Sequence, residues 1–168
     1  MNSFVQSQFS YCPLVWMFHN RSLNNKINRI HERALRLVYQ RNDLTFSQLL
    51  ELDNAVTIHQ RNLQVLATEI YKVKNNLSPE IMRYVFDIQT PHYNLRAESN
   101  MFKRENVRTT HYGIQSIQFL GPKIWDIVPQ RIKDCDSLAS FKVLIKQWKP
   151  DNCPCNLCRN YIANVGFI

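Results

Sequence analysis

Residues 9–39 read FSYCPLVWMFHNRSLNNKINRIHERALRLVY, an apolar, aromatic segment that runs straight into a helical pattern. From Leu23 the apolar positions recur at Ile27, Ile30, Ala34 and Leu37, the alternating four-three spacing of a buried helical stripe. Lys26, Arg29, Arg33 and Arg36 recur at three-four-three spacing and so share another face of the same helix. At about 100° per residue the two stripes stand roughly 120° apart. Such a helix docks one edge on a core and offers four cations from another, spaced to follow a phosphate backbone. The same pattern also suits a solvated basic face on an ordinary packed helix.

Outward from this stretch the pattern stays helical. The basic helix is predicted over 22–40 with Ser22 as N-cap, broken by Asn42-Asp43. Thr45 can cap a short helix, Phe46 to Leu52, with Phe46, Leu49 and Leu50 inward. A longer helix over about 55–75 carries the stripe Ile58, Leu63, Leu66, Ile70 and Val73 and ends at Asn75-Asn76. Ser78-Pro79 restarts the chain, serine at N-cap and proline at N1, for a helix through Phe86.

Beyond Thr90-Pro91 β-branched and aromatic residues mix with polar ones. This predicts short strands near 101–110 and 114–120, turning at Tyr112-Gly113 as a small β-hairpin element. Gly121-Pro122 opens a short helix, PKIWDIV, stopped by Pro129. Asp136-Ser137 caps a last helix over 138–149, with Leu138, Phe141, Leu144, Ile145 and Trp148 on one side. The expectation is a mostly α fold in three parts: a helical region 1–90, an extension 91–150 with short strands and helices, and a cysteine-containing tail 151–168.

Composition supports a real core, with 45% apolar and 11% aromatic residues. Only Gly113, Gly121 and Gly166 are glycines, and neither G-x-x-x-x-G-K-[ST] nor G-x-G-x-x-G occurs, so those nucleotide cradles are excluded. The formal charge of +8 is concentrated: residues 21–41 hold six Lys or Arg against Glu32 alone, which favours a polyanionic partner. No apolar run reaches the length of a membrane span, and the first residues lack signal-peptide features. Five cysteines without a secretory signal fit a reducing compartment, so the chain is expected to be intracellular, nuclear or cytoplasmic, and not secreted.

Chemistry-bearing clusters are few. Cys153, Cys155 and Cys158 form a Cys-x-Cys-x2-Cys group, three of the four ligands structural zinc requires. Cys135, His111, His92 and Cys12 are candidates for the fourth, and reduced structural cysteines are the alternative. Cys12, among Tyr11, Pro13, Leu14, Val15 and Trp16, is expected to be buried and unreactive. His19, His31, His59, His92 and His111 form no motif and read as core or surface residues. No Asp-Asp doublet occurs, so the paired carboxylates of two-metal phosphoryl transfer are lacking. Trp125 and Trp148 lie on helical stripes and read as core. Arg96, Lys103, Arg104 and Arg108 form a second basic cluster, diluted by Glu98 and Glu105.

The series SQFSYCPLVW, LNNKINRIHERALRLVY and TIHQRNLQVLATEIYKVKNNLSPEIM closely resembles the C-terminal region of reverse transcriptases of non-LTR retrotransposons, the jockey and CR1-like group. FLGPKIWDIVP, SLASFKVLIKQWKP and CPCNLCRNYIANVGFI extend the resemblance, in order, over nearly the whole chain. It implies the end of a thumb plus a C-terminal extension, downstream of an endonuclease and a palm. The palm's catalytic aspartates have no counterpart here, so polymerase activity does not carry over to this chain. What carries over is contact with RNA or an RNA–DNA hybrid through Lys26, Arg29, Arg33 and Arg36, with the upstream palm of the same polyprotein as a second partner. Neither a membrane nor a small-molecule substrate is expected. A helical protein-interaction module, or a relic reading frame, are the alternatives.

Overall fold

The computed structural model describes residues 5–88, 102–103, 106–109, 113–150, 153–155 and 157. Among these the chain is mostly α: α1 Val5–Phe9, α2 Pro13–Trp16, α3 Arg21–Tyr39, α4 Phe46–Leu52, α5 Ile58–Lys74, α6 Ile81–Val85, α7 Ile117–Asp126, α8 Gln130–Lys133 and α9 Leu138–Gln147.

Helix α5 is the central post. Thr57 and Gln60 close a capping box at its start: Thr57 Oγ1 accepts from the Gln60 amide, and Gln60 Oε1 accepts from the Thr57 amide. All five predicted stripe residues, Ile58, Leu63, Leu66, Ile70 and Val73, are buried. The helix packs against α9, α7, α2 and α3. The principal core joins its Leu63, Leu66, Ile70 and Tyr71 to Met17, Phe86, Leu120, Ile124, Trp125, Ile132, Phe141 and Ile145. An aromatic series organises it. Tyr71 stacks on Phe141 at 4.2 Å between centroids, and Trp125 lies parallel to Phe141 at 6.2 Å. Phe102 then meets Trp125 edge-on, and Phe86 meets Phe102 in the same way. The Tyr71 hydroxyl donates to the Cys135 carbonyl at 2.6 Å, which satisfies its buried polar end. Residues on both sides of positions 90 and 150 therefore share one core.

A smaller cluster sits apart. Leu35 of α3 meets Leu49 and Leu50 of α4, with Tyr39, Leu44, Phe46 and Ala55 around them. Here α4 follows expectation, with Thr45 and Gln48 forming a second capping box.

Several expectations are corrected. Asn20, not Ser22, caps α3, because its Oδ1 accepts from the Leu23 amide. The buried face of α3 runs through half-buried Ile27, which the predicted stripe shares, to buried His31 and Leu35, and is centred roughly 80° from that stripe. Helix α6 begins at Ile81, after a Pro79–Met82 turn, and Ser78 provides no cap. The predicted strand at 114–120 is not formed: residues 113–116 turn, and Ser116 caps α7 by accepting from the Phe119 amide. Gly121 and Pro122 lie inside α7, where proline forfeits a single backbone bond. Gly121 is required there, because a Cβ would come within 2.5 Å of Phe86. The β structure among the described residues is one antiparallel bridge, Ile88 to Phe102. The proposed turn at Tyr112 and much of the 101–110 strand lie outside the described residues.

Candidate metal centre and basic helix face

His59 stands in the first turn of α5, held in place by the Thr57–Gln60 capping box. One turn further on, buried Gln64 reaches the end of α9: its Nε2 donates to the carbonyls of Lys146 and Trp148, at 3.1 and 2.9 Å. These bonds tie the chain leaving α9 to the flank of α5. Five residues later the chain brings Cys153 and Cys155 back to His59. Cys155 Sγ lies 3.3 Å from His59 Nε2, and the ligand atoms of all three residues lie within 4.8 Å of one another. All three side chains are buried. Cys155 and Leu157 also wall a small cavity with Phe18, His19, Gln115 and Leu120.

Two thiols and an imidazole, converging in a buried site, form a possible metal-binding cluster. In a tetrahedron with Zn–S near 2.3 Å and Zn–N near 2.05 Å, neighbouring donors stand about 3.6 Å (N to S) or 3.8 Å (S to S) apart. The 3.3 Å between Cys155 Sγ and His59 Nε2 is close to that N-to-S separation, and the other pairs lie within 4.8 Å.

Of the predicted ligands, Cys153 and Cys155 come together, and Cys158 lies outside the described residues. His111 and His92 lie outside them too. Cys12 is exposed rather than buried, at the left-handed residue before α2, and Cys135, just after α8 with its carbonyl on the Tyr71 hydroxyl, is not part of the cluster. The donor added by the fold is His59, which has no ligand motif around it in sequence; its partner is 96 residues away. Its position in the first turn behind a T-x-x-Q capping box is the legible signal, and it fixes location but not role.

Helix α3 presents three faces. Opposite its buried face, Lys26, Arg29 and Arg33 are exposed and form no ion pair among the described residues. Arg36 is occupied instead. Its Nε and Nη2 donate to Glu32 Oε1 at 3.2 and 2.7 Å, and its Nη1 donates to the Asn42 carbonyl at 2.7 Å. It therefore closes the turn after α3. Between cations and core, Leu23, Ile30 and Leu37 make an apolar edge, 45, 50 and 81% exposed. Of the expected second basic cluster, Arg108 and Lys103 are described and exposed, Lys103 lying 3.8 Å from Asp87. Arg96 and Arg104 lie outside the described residues.

An open groove of about 590 Å³ runs beside α2, walled by Leu14, Trp16, Phe18, Met82, Val85 and Ile117. No described helix is long and apolar enough to cross a membrane. Set against known proteins, the chain matches no protein-family profile, no curated protein and no solved structure.

Proposed function

We propose that this chain is a non-catalytic, nucleic-acid-contacting part of a retrotransposon reverse transcriptase, gripping RNA or an RNA–DNA hybrid by its phosphates. The observation that carries it is the row Lys26, Arg29 and Arg33, exposed along one face of a 19-residue helix. The three span about 10 Å of helix axis, comparable to three nucleotide steps on one strand. Contacts made to phosphates carry no sequence information, so this mode of binding is sequence-independent and salt-sensitive. The resemblance across the chain supports the same reading.

Titrating a fluorescent RNA–DNA hybrid over a salt series tests it. Three phosphate contacts give a log–log slope near −2.7, at about 0.9 per contact. Replacing Lys26, Arg29 and Arg33 by Ala flattens that slope, whereas Arg36→Ala leaves it unchanged and weakens the α3–α4 turn. An unchanged slope in the triple variant defeats the proposal.

The apolar edge of Leu23, Ile30 and Leu37, seven residues apart, favours a second reading as a protein-docking helix, with the upstream palm as its partner. Association that ignores salt and fails in Leu37→Glu selects it.

For the buried cluster, the occupant proposed is zinc. The ion takes thiolate and imidazole together, and structural sites hold it in four-coordinate geometry.

A further inference from the structure

We infer that His59 of α5 is a ligand of this zinc site, so that the metal staples the chain after α9 onto the central helix. The tail cysteines do not bind metal as a separate knuckle. The inference rests on the zinc reading of the cluster and adds the residue that makes the site part of the fold.

Three observations converge on His59. Its Nε2 is 3.3 Å from Cys155 Sγ, near the donor separation of a tetrahedral site and in a buried setting. The capping box behind it fixes the first turn of α5, so the backbone that carries the ring is set by the helix. Gln64, five residues along the same helix, already holds the carbonyls of Lys146 and Trp148. The approach of Cys153 and Cys155 thus continues a docking that exists without metal.

A Cys-x-Cys pair, with one residue between its thiols, is a tight fit for one tetrahedral ion, whose paired ligands ordinarily have two to four residues between them. A donor from another element relieves that constraint. On binding, Cys153 and Cys155 each release a thiol proton to solvent, and His59 ligates as neutral imidazole through Nε2, so affinity rises with pH. Neither the thiols nor the ring changes oxidation state.

This arrangement makes metal binding conditional on tertiary structure. In the unfolded chain His59 and Cys155 are separated by 96 residues, and no preformed site exists. Zinc therefore stabilises the folded chain, and chelation loosens Cys155 and Leu157 from the small cavity they share with Phe18 and Leu120.

The reduced full-length chain, titrated anaerobically with cobalt(II) and then zinc(II), provides the test. Wild type is expected to bind one equivalent, with the intense visible bands of tetrahedral cobalt and a sulfur-to-cobalt charge-transfer band. His59→Cys retains the metal and strengthens the charge-transfer band, since a thiolate replaces the imidazole. His59→Ala, checked for helicity by circular dichroism, loses at least ~100-fold in affinity. A His59→Ala chain with wild-type affinity and spectrum overturns the inference while leaving zinc in the tail cysteines. An unchanged spectrum in His59→Cys overturns it equally, and does so even where the alanine variant fails to fold. Absence of binding to reduced wild type overturns both this inference and the zinc reading.

Discussion

His31 shows how a single residue can hide a helix face. Its ring is buried between α3 and α4, edge-on to Phe46 at 5.6 Å, and neither ring nitrogen has a hydrogen-bond partner among the described residues. Burial holds its pKa below the ordinary 6.5; Asp53 opposes the shift and Arg61 adds to it. As pH falls through 6.5 the unfolded chain takes up a proton that the folded ring refuses, so stability declines until the folded ring protonates as well. His31→Leu is expected to abolish this acid-side slope in urea melts between pH 7.5 and 5. It leaves stability at pH 7.5 equal or higher by about 1 kcal/mol, since an unsatisfied buried polar group costs roughly that or more. A slope that persists in the variant assigns the effect to another group. Counted as polar, His31 concealed the Ile27–His31–Leu35 line, and the apolar spacing of Leu23, Ile30 and Leu37 drew the predicted face toward an edge that the fold leaves open. His59 was illegible for a related reason: a ligand whose partners lie 96 residues away leaves no local spacing to read.

At the scale of elements, some helix ends were legible and others were not: Thr45 and Ser137 cap as read, the cap at Thr57 went unread, and Ser22 and Ser78 provide none. Thr45 and Thr57, each followed three residues later by Gln, start α4 and α5 where their hydroxyls can accept from the first-turn amides. Ser137 likewise starts α9. The stripes of α5 and α9 were legible too, because long runs of aliphatic residues leave little choice of face. Failures cluster where a tertiary contact overrides local preference. Gly121-Pro122 reads as a break, yet α7 runs through it: Gly121 lies against Phe86, and Pro122, sixth of ten residues, forfeits one backbone bond in mid-helix. The far end of α3 carries strain of its own. Gln40, its C-cap, sits at φ 52°, ψ 32°, a left-handed conformation that favours glycine. Gln40→Gly is expected to stabilise the chain by roughly 1 kcal/mol, read as a higher denaturation midpoint with an unchanged m-value. A lower midpoint means that the Gln40 side chain makes a contribution larger than its backbone strain.

For the whole molecule, the mostly α class was legible in the density of helical stripes, whereas the common core of the early and late segments was not. Sequence periodicity shows that α5 and α9 each have an apolar face but not that the two faces meet, nor that Gln64 would bond to carbonyls more than 80 residues away. The division into two hydrophobic clusters was equally hidden, since it follows from His31 and Phe46 closing the α3–α4 pair over Leu35 and Leu49. That division bears on how the molecule opens. Among the described residues the small cluster holds three buried residues against nineteen in the principal one, so α3 and α4 can come apart at a free energy well below that of global unfolding. Native-state deuterium exchange should resolve two tiers: amides of α3 exchange through a sub-global opening, and those around Leu66 and Ile70 only through complete unfolding. A single tier across both helices would mean the two clusters melt as one. With two tiers, the arm that carries Lys26, Arg29 and Arg33 is the part of the chain that breathes, loosening and re-forming many times while the aromatic centre stays shut.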